Sequence, residues 1–179
     1  MSFVAFNTQK EPFNNVKVRQ AIYDAIDLDT IQSSLIKDAG EASTALPSST
    51  ALFTIETDRW NDYLSKAPKH TYDVEAAKAL LAEAGYPDGE GFPTITYSAN
   101  DAGYHVPVAE YVQQAWGDLG ITVNIDKVEW SSFLPLRRAG DYDVSRNGWS
   151  MDYNDPSNML DLFCTGNGNN DGKYSNADF

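Results

Sequence analysis

Residues 148–156 read Gly-Trp-Ser-Met-Asp-Tyr-Asn-Asp-Pro, with Trp149, Asp152 and Asp155 inside a turn-forming sequence. The stretch follows a strand-like run, Tyr142–Arg146. Strand ends that feed irregular loops are where α/β proteins place ligand contacts. An Asp near a Trp suits a ligand with a cationic end and an apolar body. The carboxylate supplies a charge-assisted hydrogen bond and the indole a stacking or cation–π surface. Composition alone leaves the alternative open: a solvated turn with Trp149 as a core anchor.

Other chemistries find little support. There is no GxGxxG, no Walker loop, no HExxH and no GxSxG elbow. The two histidines, His70 and His105, have no metal-ligand spacing, so neither metal nor cofactor is expected. The single cysteine, Cys164, rules out an internal disulfide and reads as a passive thiol. Asp152 and Asp155 could be imagined as the paired carboxylates of a glycoside hydrolase, but they come from one short loop.

The chain has 179 residues and a net charge of −13, from 26 acidic and 13 basic side chains. That balance, with no Lys/Arg stripe, argues against a nucleic-acid partner and against an anionic membrane surface. No apolar run reaches the roughly 18 residues of a membrane span. No signal peptide follows Met1, and both ends read as cut, so the sequence is expected to be a piece of a longer protein.

The elements that must hold the 148–156 loop are legible as patterns. A short strand is expected at 3–7. Val18, Ala21, Ile22, Ala25 and Ile26 form one helical stripe. A second helix runs from Asp29 or Thr30 to about Lys37. Residues 40–70, with Pro47, Pro68 and scattered Trp60 and Tyr63, read as a long and mostly irregular excursion. Asp73 is the N-cap of a helix with Val74, Ala77, Leu81 and Ala84 on one face, stopped by Gly85. From 94 to 148 the order is β-α-β-α-β. Strands are expected at Ile95–Tyr97, Ile121–Glu129 and Tyr142–Arg146, and helices at Pro107–Leu119 and Ser131–Ala139. The alternation slips at Lys127-Val128, which predicts a bulge. The fold class is α/β, with helices packed on a sheet.

Two further blocks complete the picture: Phe6-Asn7-Thr8-Gln9-Lys10-Glu11-Pro12-Phe13, and Val18-Arg19-Gln20-Ala21-Ile22 with Ala25-Ile26-Asp27. With the Tyr72–Ala84 helix, Ala84-Gly85-Tyr86-Pro87 and Gly148-Trp149 through Asp155-Pro156, they appear in the order found in one family. Over nearly its whole length the chain resembles the solute-binding proteins of oligopeptide, dipeptide and nickel ABC importers.

The resemblance implies one lobe, conventionally domain III, of a two-lobed periplasmic-binding-protein-like receptor. That lobe would span 1–179, with 40–70 as an irregular insertion. It implies a mixed sheet with helices, extracytoplasmic peptide binding without catalysis, and an ABC permease as partner. The whole receptor would be periplasmic or a cell-surface lipoprotein. Asp152 would pair with the peptide α-ammonium, Trp149 would line the pocket, and Ser150 would offer backbone hydrogen bonds. Arg146 would meet the ligand carboxylate. Arg19, in the Val18–Ile22 block, suits an architectural role. The same fold could instead take an oligosaccharide or a nickel or haem chelate.

Overall fold

The computed structural model describes residues 1–37 and 46–179. Strands β1 (Ser2–Phe6), β2 (Ile95–Asn100), β3 (Val123–Val128) and β4 (Val144–Gly148) form a mixed sheet in the order β1-β4-β2-β3. β4 runs parallel to β2, and β2 parallel to β3, while β1 is antiparallel to β4. The helices are α1 (Val16–Asp24), α2 (Leu28–Thr30), α3 (Ser48–Ala51), α4 (Thr57–Lys66), α5 (Val74–Glu83), α6 (His105–Gly117), α7 (Trp130–Ala139) and α8 (Ser157–Leu160). α2 leads straight into a π-helical turn, Ile31–Ile36. The expected α/β class and the β-α-β-α-β order both hold.

The main core joins α1, α5 and α6 to one sheet face. Val18, Ala21 and Ile22 meet Ala77 and Leu81 of α5, and Val112 and Trp116 of α6. Ile95, Tyr97 and Ala99 alternate along β2 into this core. The Trp116 indole N–H donates to the Ile22 carbonyl at 2.9 Å, which satisfies the one polar group this ring would bury. Ser98 and Asn100 fall on the opposite pleat, as do Ser145 and Asn147 of β4, and all are buried. On β2 and β4 that second face is polar, while β1 adds Ala5 and Phe3 to it.

The caps follow the sequence. Asp73 accepts from the Ala76 N–H at 2.9 Å and starts α5. Gly140 ends α7 in the left-handed region at φ 77°. Gly120 (φ +82°) lies against the Asp88–Gly89 backbone, and a Cβ there would come within 2.1 Å of the Asp88 carbonyl oxygen. Only glycine fits such an approach. Arg19 donates to the Phe13 carbonyl at 2.6 Å and the Asn14 carbonyl at 3.2 Å, fastening the approach to α1.

Some boundaries, and the bulge expected in β3, differ from expectation. α6 begins at His105, so Pro107 lies inside its first turn, where a missing N–H costs nothing. β4 runs Val144–Gly148 because its partners fix the ladder: Phe6 and Tyr97 both pair with Val144, and Ser2 pairs with Gly148. No bulge interrupts β3, since Ala99 pairs with Lys127 and Asn100 with Val128 in unbroken register. Lys127 keeps the phase of Val123 and Ile125 but has left the core, with its ammonium 3.9 Å from Glu110 of α6.

The 40–70 excursion carries α3 and α4. Trp60 is buried, donates to the Ser48 hydroxyl at 3.0 Å and stacks on Tyr63. Residues 40–45 of that stretch lie outside the described residues.

Candidate functional site

β2 and β4 are parallel neighbours, so their carboxyl ends open on one edge of the sheet. β2 leads through a tight turn into α6, whose first residue is His105. β4 leads into the 149–156 loop. The site forms where these two exits meet.

Arg146 lies two residues beyond Val144 and shares its pleat, on the α6 side. Its Nε donates to Nδ1 of His105 at 3.3 Å. Its guanidinium also lies 6.0 Å from the ring centroid of Trp130, at the start of α7. A Cβ on Gly148 would be tight against the Met1 carbonyl oxygen at 3.1 Å but only in ordinary contact with Arg146 Nη2 at 3.5 Å.

An imidazole nitrogen that accepts from Arg146 must be unprotonated. Burial, and then the Arg146 charge, hold His105 below the ordinary histidine range. The fold therefore favours neutral His105, whereas the unfolded chain takes up the proton more readily. This contribution to stability is present above about pH 6.5 and is lost as pH falls through the lower folded midpoint. In a nuclear magnetic resonance titration the His105 midpoint is expected below that of a free histidine. His105→Gln should remove this part of the pH dependence of unfolding. An unshifted or raised midpoint would contradict the arrangement.

The β1–β4 ladder continues past β4, because Trp149 N–H donates to the Met1 carbonyl at 2.9 Å and the Met1 amine to the Trp149 carbonyl at 2.8 Å. The chain then leaves the sheet. Ser150 is exposed, and among the described residues its backbone N–H and carbonyl make no bond. Asp152 is exposed as well, and its carboxylate has no hydrogen-bond or ion-pair partner there. Its backbone N–H does have one, the Oδ1 of Asn158 at 3.1 Å. The same oxygen accepts from the Trp149 indole at 2.9 Å.

Asp155 does different work. Its carboxylate accepts from the Ser157 N–H at 2.9 Å and starts α8. The Ser157 hydrogen bonds hold its pKa below the usual carboxylate value. A general acid needs the opposite shift.

On the other pleat, Asn147 ties the base of the loop to the rest of the lobe. Its Oδ1 accepts from the Gly148 N–H at 2.7 Å, and its Nδ2 donates to Asp171 Oδ2 at 3.2 Å. Arg137 Nε of α7 lies 2.7 Å from that same carboxylate oxygen, close enough for an ion pair although its N–H points off the hydrogen-bond line. The Tyr142 hydroxyl donates to the Asp171 carbonyl at 2.8 Å, and burial raises its pKa, with the Asp171 charge adding to the effect.

Of the residues singled out in sequence, Trp149, Ser150 and Asp152 share one loop and Arg146 stands at its strand end. Asn158, His105, Asn147 and Asp171 gave no sequence signal: His105, Asn147 and Asp171 act through partners far along the chain, and Asn158 through a loop fold that its residue type does not announce.

Residues 1–171 match the family model of bacterial extracellular solute-binding proteins, family 5, middle portion. The chain is 33% identical, over 99% of its length, to the periplasmic oligopeptide-binding protein OppA of Salmonella typhimurium, and covers 32% of that protein. It is 35% identical over its whole length to heme-binding protein A of Haemophilus influenzae, again covering 32%. The crystal structure of a peptide ABC transporter's peptide-binding protein matches with a TM-score of 0.86 at 30% identity, over 98% of this chain and 79% of the other. The chain thus spans about a third of the length of the curated relatives, yet most of one solved chain of similar fold.

Proposed function

The chain belongs to family 5 of the bacterial extracellular solute-binding proteins, and on that premise we propose that residues 1–179 are one lobe of a two-lobed peptide receptor. The receptor works outside the cytoplasmic membrane and hands its ligand to an ABC permease. Residues 40–70 are an insertion in the lobe. In this reading Asp152 binds the peptide α-ammonium, and Trp149 packs against the first residues. Ser150 offers its open backbone groups, and Arg146 meets the ligand carboxylate.

The observation that carries the reading is the state of Asp152. Its backbone is fixed by Asn158 while its carboxylate faces outward without a partner among the described residues. A charge held this way is preorganised for a cation, and it keeps its hydration until a ligand arrives. Backbone bonds common to every peptide would add affinity without sequence preference. In this reading the lobe binds without catalysis, and Asp155, which accepts from the Ser157 N–H and has a lowered pKa, is not poised as a general acid.

Identity to a haem-binding relative supports a second reading, the same fold with a haem ligand. Thermal unfolding of a chain with both lobes separates the two. Tri-alanine at 100 times its Kd is expected to stabilise by about 2.7 kcal/mol, with haem giving no shift. A shift with haem and none with tri-alanine reverses the assignment, and silence from both removes the support for a peptide.

A further inference from the structure

We propose that Asn158 is a positioning residue for ligand recognition, one that sets the direction of the Asp152 carboxylate and the plane of the Trp149 ring together. The inference rests on the peptide-receptor reading for its functional half and on geometry for the rest. Asn158 is 7% exposed, buried beneath a loop whose residues 152–154 are exposed. One atom, Oδ1, accepts from two donors nine and six residues earlier in the chain: the Trp149 indole N–H at 2.9 Å and the Asp152 backbone N–H at 3.1 Å. Both partners are obligate donors, so only the oxygen can face them, and the amide orientation is fixed.

The chain delivers this oxygen by local means. Asp155 accepts from the Ser157 N–H, and Asn158 N–H donates to the Asp155 carbonyl at 3.0 Å. The Asp-Pro-Ser-Asn turn therefore folds the first turn of α8 back under the loop. An aspartate side chain would still present an acceptor here. An alanine would leave the indole N–H and the Asp152 N–H without a partner. Asp152 keeps its charge in either case, but with alanine it loses its fixed aim.

The test has two arms. In this chain, the Trp149 indole N–H signal is identified among the four tryptophans by its loss in Trp149→Phe. Asn158→Ala is expected to move that signal and speed its exchange with solvent, and Asn158→Asp to keep it near its original position. In a chain with both lobes, Asn158→Ala should weaken binding of tri-alanine by about 10-fold, the size of one well-placed hydrogen bond. N-acetyl-tri-alanine should lose less than about 3-fold, and Asn158→Asp should recover most of the loss.

An unmoved indole signal in Asn158→Ala overturns the proposal. So does an equal loss for both peptides, or a folded Asn158→Asp that recovers neither signal nor affinity. If the unmutated receptor ignores tri-alanine, the peptide reading fails by itself, and the indole arm alone decides whether Asn158 positions the loop.

Discussion

Asp152→Ala, made in a chain with both lobes, is expected to weaken binding of a free-amine tripeptide by about 2–5 kcal/mol, or roughly 30- to 5,000-fold in Kd. The carboxylate is exposed in the lobe, so it carries little energetic burden until a ligand covers it. Closure would strip water from both charges and leave each as the other's main compensation. Removing the carboxylate then strands an ammonium in a drying cleft, which costs far more than losing an exposed ion pair. Asp152→Asn should fall between, because an amide oxygen still accepts but bears no charge. Acetylating the peptide removes the ammonium, so N-acetylated ligand should bind the original and Asp152→Ala receptors with nearly equal affinity. Calorimetry on both ligands makes the comparison, and matching losses would falsify the amine-anchor role.

The selectivity of that test depends on topology. β4 is an inner strand, paired with β1 on one side and β2 on the other, so the backbone that leads into the loop is held from two sides. Arg146 and Asn147 are successive residues on opposite pleats. One reaches His105 on the α6 side, and the other reaches Asp171 on the α7 side. The loop thus leaves a strand held from above and below. Asp152→Ala removes no bond within the described residues, because the carboxylate has no partner there and the backbone N–H keeps its bond to Asn158.

Sequence revealed the parts governed by short-range rules. The Val18–Ile22 part of the first stripe, the Asp73 cap and the Gly85 stop each depend on a few neighbouring residues and read correctly, whereas Ala25 and Ile26 reach the core from beyond the end of α1 at Asp24. α4 was hidden because Thr57–Lys66 buries only Trp60 in ten residues, too few apolar side chains to print a helical period. The slip at Lys127 imitated a bulge because the end of an edge strand leaves the core, and polarity there says nothing about register. Trp149, Ser150, Asp152 and Arg146 were visible as one short, chemically loaded stretch. Their supports were not: Asn158 and Asp171 are ordinary polar residues in sequence, and only folding brings them to the Trp149 indole and to Asn147.

Asp171→Ala is the second large effect, and it falls on stability before it reaches binding. The Asp171 side chain is 4% exposed and that of Arg137 is 11%. Burying both charges cost solvation that their mutual attraction only partly returned, so the pair is weak proof of net stabilisation. Removing one partner is another matter, because Arg137 would remain buried without an anion. The expected cost is about 3–5 kcal/mol in this chain, or a fall in Tm of roughly 6–20 °C at this size. Asn147 would lose its acceptor at the same time, and with it the tie between Gly148 and the 164–174 segment. Replacing both charges, Arg137→Met with Asp171→Leu, should therefore be milder than Asp171→Ala alone, since no charge is left stranded. Urea denaturation of the single and double variants decides the point. A single variant that loses less than about 1 kcal/mol would mean that water reaches Arg137. In that case the ion pair would not be what holds Asn147, and with it the recognition loop, to the body of the lobe.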